Sequence, residues 1–291
     1  MSLRASTCIC ALLGLVSSVA YATPETTINE SSPHYDLEVM YDKDDLKAGM
    51  ALTRERLKAD PYDPVLAWMF VRFNHELGET IEGPDSAKAD SYEYAAAVAT
   101  KALEKHPNDP HLRFARAIAN ARLGTTRGVM ASLSLADDIE ADWLFVAKSG
   151  FKYAALGGQE VLPCDADLAL GIFYRLVPDY WIVKAIAGTR GDLDKSLMHL
   201  QAANTCLPNE IRIVKELGAT QLCLGTKRKD TEMLKAGKET LTYLRTLPTK
   251  ALTDEIDAKH AQQLISDPDL ACGYSRDGQQ EQDEKLLKKD K

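Results

Sequence analysis

The stretch LEKHPNDPHL at 103–112 restates LKADPYDPVL at 57–66 after a step of 46 residues. At that offset Leu57 falls on Leu103, Pro61 on Pro107 and Asp63-Pro64 on Asp109-Pro110, while Leu66, Asn74, Leu77 and Gly78 fall on Leu112, Asn120, Leu123 and Gly124. A weaker third copy, LPNEIRIVKELGATQLCLG, aligns Pro208, Ile213, Leu224 and Gly225. Each copy reads as one helix ending, a Pro-containing turn reversing the chain, and a second helix stopping at Gly. Apolar-periodic stretches precede the turns, at 94–107 and 194–208. Paired helices of this kind cannot bury their apolar faces alone and must stack on neighbours. The expected fold class is therefore all-α, a solenoid of antiparallel helix pairs.

The small residues Ala95, Ala99 and Ala102, followed by Leu103 and Pro107, together with VKELGATQLCLG in a first helix, resemble the tetratricopeptide repeat (TPR) family over about residues 44–248. That family repeats every ~34 residues; here TIEGPDSAKADS at 80–91 is read as a lengthened loop inside the unit. Residues 166–208 look most similar to TPR-like periplasmic proteins such as the T component accompanying some tripartite ATP-independent periplasmic transporters. The broad resemblance implies a non-enzymatic adaptor that binds a protein or peptide on its concave surface. The narrower one implies an accessory subunit, self-associating, that docks a solute-binding protein and holds a small apolar ligand. The transporter proteins are often lipoproteins, and no lipobox precedes Cys8 or Cys10 here.

Arg4, the apolar CICALLGLVSSVA and the small residues AYA at 20–22 read as a signal peptide cleaved after Ala22, which implies a periplasmic or secreted protein. Residues 23–40 read as a disordered arm, 41–270 as the helical-repeat domain with a polar-faced capping helix at 252–266, and 271–291 as a charged, disordered tail. The formal charge is −8, or −9 once Arg4 is removed with the leader, which argues against nucleic acid or an anionic membrane as partner.

Export gives the cysteines meaning. Cys164, Cys206, Cys223 and Cys272 remain, an even number in an oxidising compartment. Cys164 and Cys206 fall at one end of one helix hairpin, and two further antiparallel helices return Cys272 to the end that carries Cys223. The expected bridges are Cys164–Cys206 and Cys223–Cys272; free buried thiols are the alternative.

In the helix from Pro64, Leu66, Phe70, Phe73 and Leu77 form a core stripe. The neighbouring stripe carries Val65, Trp68, Arg72 and His75, and in the matching helix His111, Phe114, Ile118 and Arg122. First helices of TPR pairs line the groove, so the resemblance makes Trp68, Arg72, His75, His111, Phe114 and Arg122 candidate partner contacts; packing against adjacent helices is the plainer account. Phe173, Tyr174, Tyr180 and Trp181 crowd a turn at Pro178, as a small ligand pocket, an oligomer interface or local core. Residues 126–160, ending at Gly157-Gly158, read as one kinked or two consecutive helices.

No H-E-x-x-H, G-x-S-x-G, P-loop or dinucleotide fingerprint occurs, and no histidines pair at ligand spacing. No cofactor or metal is expected. Asp137, Asp138, Glu140 and Asp142 read as a charged surface, His106 and His111 as solvated residues flanking a turn, and the RGD at 190–192 as a turn glycine followed by a helix-capping aspartate.

Overall fold

The chain is described by a computed structural model covering residues 25–78, 85–156, 160–249 and 252–283. The expected leader, Gly157-Gly158, residues 80–84 of the expected loop and the last eight residues of the expected tail lie outside the described residues.

Asp-Pro pairs start the repeated helices. Asp63 and Asp109 each accept a hydrogen bond from the backbone N–H three residues on, at 2.9 and 3.0 Å, and the prolines occupy first-turn positions whose missing N–H costs nothing. Twelve helices are described: α1 (Tyr35–Asp42), α2 (Leu46–Ala59), α3 (Pro64–Gly78), α4 (Asp85–Leu103), α5 (Pro110–Arg127), α6 (Ala136–Lys148), α7 (Cys164–Leu176), α8 (Trp181–Ala187), α9 (Leu193–Cys206), α10 (Ile211–Arg228), α11 (Thr231–Leu244) and α12 (Leu252–Ser266). Most pack on their chain neighbours. In addition α3 touches α5, α5 touches α7, α7 touches α10 and α10 touches α12, so the first helices of successive pairs form an inner layer. The second helices α4, α6, α9 and α11 lie outside it. This is a TPR-like α-solenoid, and α12 ends it as a mostly polar cap that buries Ala261 and Leu264.

The repeated glycines do a different job from the one expected. Gly78 does end α3, but Gly124 and Gly225 lie inside helices that run on to Arg127 and Arg228. A Cβ at Gly78 would stand 2.3 Å from the Tyr92 hydroxyl, and one at Gly225 2.7 Å from the Leu234 backbone N. At these two positions the repeat keeps glycine for close helix approach. The lengthened loop is also shorter than read, because Asp85 already begins α4.

Three expectations give way to long-range contacts. The arm at 23–40 is ordered in its described part: β1 (Glu25–Thr27) pairs parallel with β2 (Lys152–Ala154), and α1 buries Leu37 completely. Residues 126–160 are not purely helical, since β2 also pairs antiparallel with β3 (Glu160–Leu162) beyond α6. The segment after 271 continues into a hairpin of β4 (Tyr274–Ser275) and β5 (Gly278–Gln279), turned at Gly278 with φ 108°. Charge alone marked it as a tail; buried partners order it.

Both expected disulfides are formed, Cys164–Cys206 and Cys223–Cys272, with Cα atoms 5.6 and 4.7 Å apart. They fit an oxidising, extracellular-type compartment. Among the described residues no helix is long and apolar enough to cross a membrane. Asp192 caps α9 as expected, accepting from Asp194 and Lys195 at 3.0 Å. The acidic run does not all face water: Asp142 is buried, holding Arg113 at 2.9 Å and Arg116 at 2.7 Å, and Glu140 accepts the Tyr174 hydroxyl.

Candidate functional site

The inner layer divides into two parts. At the N-terminal part, Arg72 is consumed by the fold. Its guanidinium donates to Glu38 at 2.6 Å and to the Tyr153 hydroxyl at 3.0 Å, Tyr153 donates to the other Glu38 oxygen at 2.9 Å, and the Tyr41 ring lies 3.8 Å from the guanidinium carbon. α1, α3 and β2 are thereby locked together. Trp68 is buried and stacks on His111 at 5.0 Å, and His111 meets Phe151 and Tyr153 edge-on at 4.8 Å. His111 is therefore not solvated, and burial followed by the nearby Arg72 pushes its imidazole down to about 3. His106 does stay exposed. Three of the six groove candidates, Trp68, Arg72 and His111, thus serve internal packing here.

The other three, His75, Phe114 and Arg122, face a cavity of about 150 Å³ in the middle of the inner layer. Its walls are mainly apolar, supplied by α5, α6 and α7 through Phe114, Ile118, Ile139, Trp143, Ile172 and Phe173. Titratable groups gather at one side: His75 from α3, Arg122 from α5, Asp165 from α7, Arg212 and Glu216 from α10, and Arg276 and Asp277 from the C-terminal hairpin. Burial, reinforced by Arg122, Arg212, Arg276 and Lys88, holds His75 well below the usual histidine range, so it is neutral. Burial pushes Asp165 up to about 6 against the pull of Arg212.

The hairpin lines this cavity through Ser275, Arg276 and Asp277, and it is fastened along its length. Asp277 takes Lys88 at 2.7 Å, Arg122 at 3.0 Å and the Thr125 hydroxyl at 2.5 Å; Lys88 and Arg122 outweigh the burial that would raise its carboxyl. Arg276 meets Asp257 at 2.6 Å, and Lys215 joins Asp257 at 2.7 Å and Glu216 at 2.9 Å. Arg175 reaches Glu216 and donates to the carbonyls of Ala271 and Tyr274 at 2.7 and 2.9 Å. Gln280 donates to the Thr125 carbonyl at 3.1 Å and accepts from the Val129 N–H at 3.2 Å, and Gln282 donates to the Leu176 carbonyl at 2.8 Å. The segment thus crosses from the last helices to α4 and α5 and acts as a strap over the inner face.

The four aromatics around Pro178 do not form one pocket. Phe173 lines the cavity, and Tyr174 is buried against Glu140. The Tyr180 hydroxyl donates to the Gln282 carbonyl at 3.0 Å, and Trp181 stands 73% exposed on α8. Sequence reasoning missed Asp165, Arg212 and the strap. The Asp277-Gly278 pair between short segments was a legible hairpin signal; Asp165 and Arg212 carry no local mark. Among the described residues no group of three or more His, Cys, Asp and Glu could hold a metal ion.

No family model matches the sequence, and no curated protein does. Among solved structures the chain is similar to a thermophilic TPR protein of Thermus thermophilus, at 18% identity and TM-score 0.47, covering 79% of this chain and 97% of that one. It is also similar to the MamA RS-1 ArsTM double mutant, at 14% identity and TM-score 0.42, covering 72% of this chain and 91% of that one. The assignment of the fold rests on the helix order and layer contacts described above.

Proposed function

We propose that this chain is a non-enzymatic binding protein of the periplasm or another oxidising exterior, and that it encloses a small, mainly apolar ligand in the strapped cavity of its inner face. The observation that carries this reading is the cavity of about 150 Å³, apolar on most walls and charged at one side. An engineered apolar cavity of about this volume holds one benzene molecule. A peptide on the concave surface, the first expectation from the resemblance, competes with the strap and with the internal packing of Trp68, Arg72 and His111. Uptake of fluorobenzene, followed by 19F NMR, tests the reading. The wild-type protein binds it, and Ala169→Phe, which fills one wall, abolishes binding. Equal behaviour of the two proteins, or no uptake by either, refutes the proposal.

A protein partner is the second reading, favoured by the exposure of Trp181 at 73% and Ile186 at 60% on the short α8. It places the partner on an outward face. An accessory subunit that docks a solute-binding protein and holds its small ligand would use both surfaces, and crosslinking in the native periplasm, with and without Trp181→Ser, tests it. Loss of one defined partner on substitution supports docking there; an unchanged set of crosslinks removes it.

A further inference from the structure

Three polar side chains at the charged side of the cavity are left over when every other charge there has been matched. Arg122 is held by Tyr92 and Asp277, Glu216 by Arg175 and Lys215, and Arg276 by Asp257. Arg212, in the first turn of α10, forms no hydrogen bond among the described residues, and its Nε is buried without an acceptor. Asp165, in the first turn of α7, likewise accepts no side-chain hydrogen bond there, although Arg212 acts on it electrostatically. His75 is 9% exposed, with Nδ1 buried and unpartnered. One cation, one carboxylate and one neutral imidazole, on three different helices, therefore border the same space.

We propose that these three residues form the head-group site for a free α-amino acid with an apolar side chain. This rests on the reading of the cavity as a ligand site and names what fills it. Asp165 and Arg212 are partly buried; a charge withdrawn from water without a partner is costly, so a native fold retains such a set most readily where a ligand supplies the missing partners. A simple carboxylate would satisfy Arg212 and stand against the Asp165 carboxylate. A simple amine would satisfy Asp165 and meet Arg212, within the positive field that Arg122, Arg276 and Lys88 also exert at His75. A zwitterion answers both: its carboxylate accepts from Arg212, and its ammonium donates to Asp165 and to a nitrogen of the neutral His75. The apolar walls Phe114, Ile118, Ile139, Trp143, Ile172 and Phe173 then take a side chain the size of leucine's or phenylalanine's.

Isothermal titration of the full mature chain with L-leucine and L-phenylalanine is the test, against 4-methylpentanoate and 3-methylbutylamine, which lack the amino and carboxyl groups of leucine. At least one amino acid binds, and each leucine analogue binds about 10- to 100-fold more weakly than the tighter amino acid. Arg212→Gln reduces amino-acid affinity to a similar degree while fluorobenzene still enters. An analogue that binds as tightly as the amino acids overturns the proposal. So does failure of both amino acids while fluorobenzene enters, whereas exclusion of fluorobenzene as well refutes the ligand cavity itself.

Discussion

Arg72 and Arg212 both stand on inner-layer helices, and each acts electrostatically on a histidine and has a carboxylate from another element nearby. At Arg72 the geometry is complete: Glu38 and Tyr153 close a ring of hydrogen bonds of 2.6 to 3.0 Å, and the nearest histidine is wedged among aromatic rings. At Arg212 the same kinds of residue border a cavity and leave their hydrogen-bonding atoms unmatched. The first arrangement is what a buried ion pair needs to hold a fold together. The second lowers stability unless something else completes it. Burial and residue type alone do not separate the two arrangements; the Arg72 guanidinium has its ion pair where Arg212 has none among the described residues, although Trp68 Nε1 and His111 Nε2 beside Arg72 are also buried without a partner.

Substitutions on the two sides should therefore behave oppositely. Glu38→Ala leaves the largely buried Arg72 without its carboxylate, and urea denaturation should show a loss of about 3–5 kcal/mol; a loss under ~1 kcal/mol would erase the contrast. The strap comes next. Replacing Cys223 and Cys272 by serine should cost about 2–4 kcal/mol and speed fluorobenzene exchange, because the bridge fastens the base of the hairpin that walls the cavity. Asp277→Asn, which weakens the contacts to Lys88 and Arg122 and keeps the shape, should cost about 1–3 kcal/mol with the same acceleration. Arg212→Gln should leave stability within about 0.5 kcal/mol of wild type or raise it, since no hydrogen bond is lost.

Acid titration sharpens the same comparison. His111 falls from the usual 6.5 to about 3 in the folded state, so the unfolded chain binds its proton first and stability drops as pH falls from about 6.5 towards 3. His75 acts in the same direction. Asp165, raised from 3.8 to about 6, acts oppositely: it favours the folded state at low pH and loses that contribution as pH rises through 6. His111→Phe should flatten the fall of the melting temperature between pH 6.5 and 4, with little change above pH 7. An unaltered slope would mean that the His111 ring is not held neutral.

Local signals were legible where a few neighbouring residues decide the structure. Asp-Pro pairs mark the helix starts, the small residues around Ala95 and Ala99 mark close packing, and the helix arrangement brings Cys164 to Cys206 and Cys223 to Cys272. Destinations of charged side chains were not legible, because their partners lie far away in the chain. Glu38 stands 34 residues from Arg72, and Asp277 stands 155 residues from Arg122. An arm and a tail that look solvated by composition are ordered by those distant contacts. Half of the candidate groove stripe does border the cavity, through His75, Phe114 and Arg122, while Asp165 and Arg212 emerge only once three helices are brought together.

The most direct measurement is native mass spectrometry of the protein isolated from its native source, wild type beside Ala169→Phe. The account predicts a small bound molecule on the wild-type chain and none on the filled variant. An added mass retained by the filled variant, or bare protein in both spectra, would contradict it.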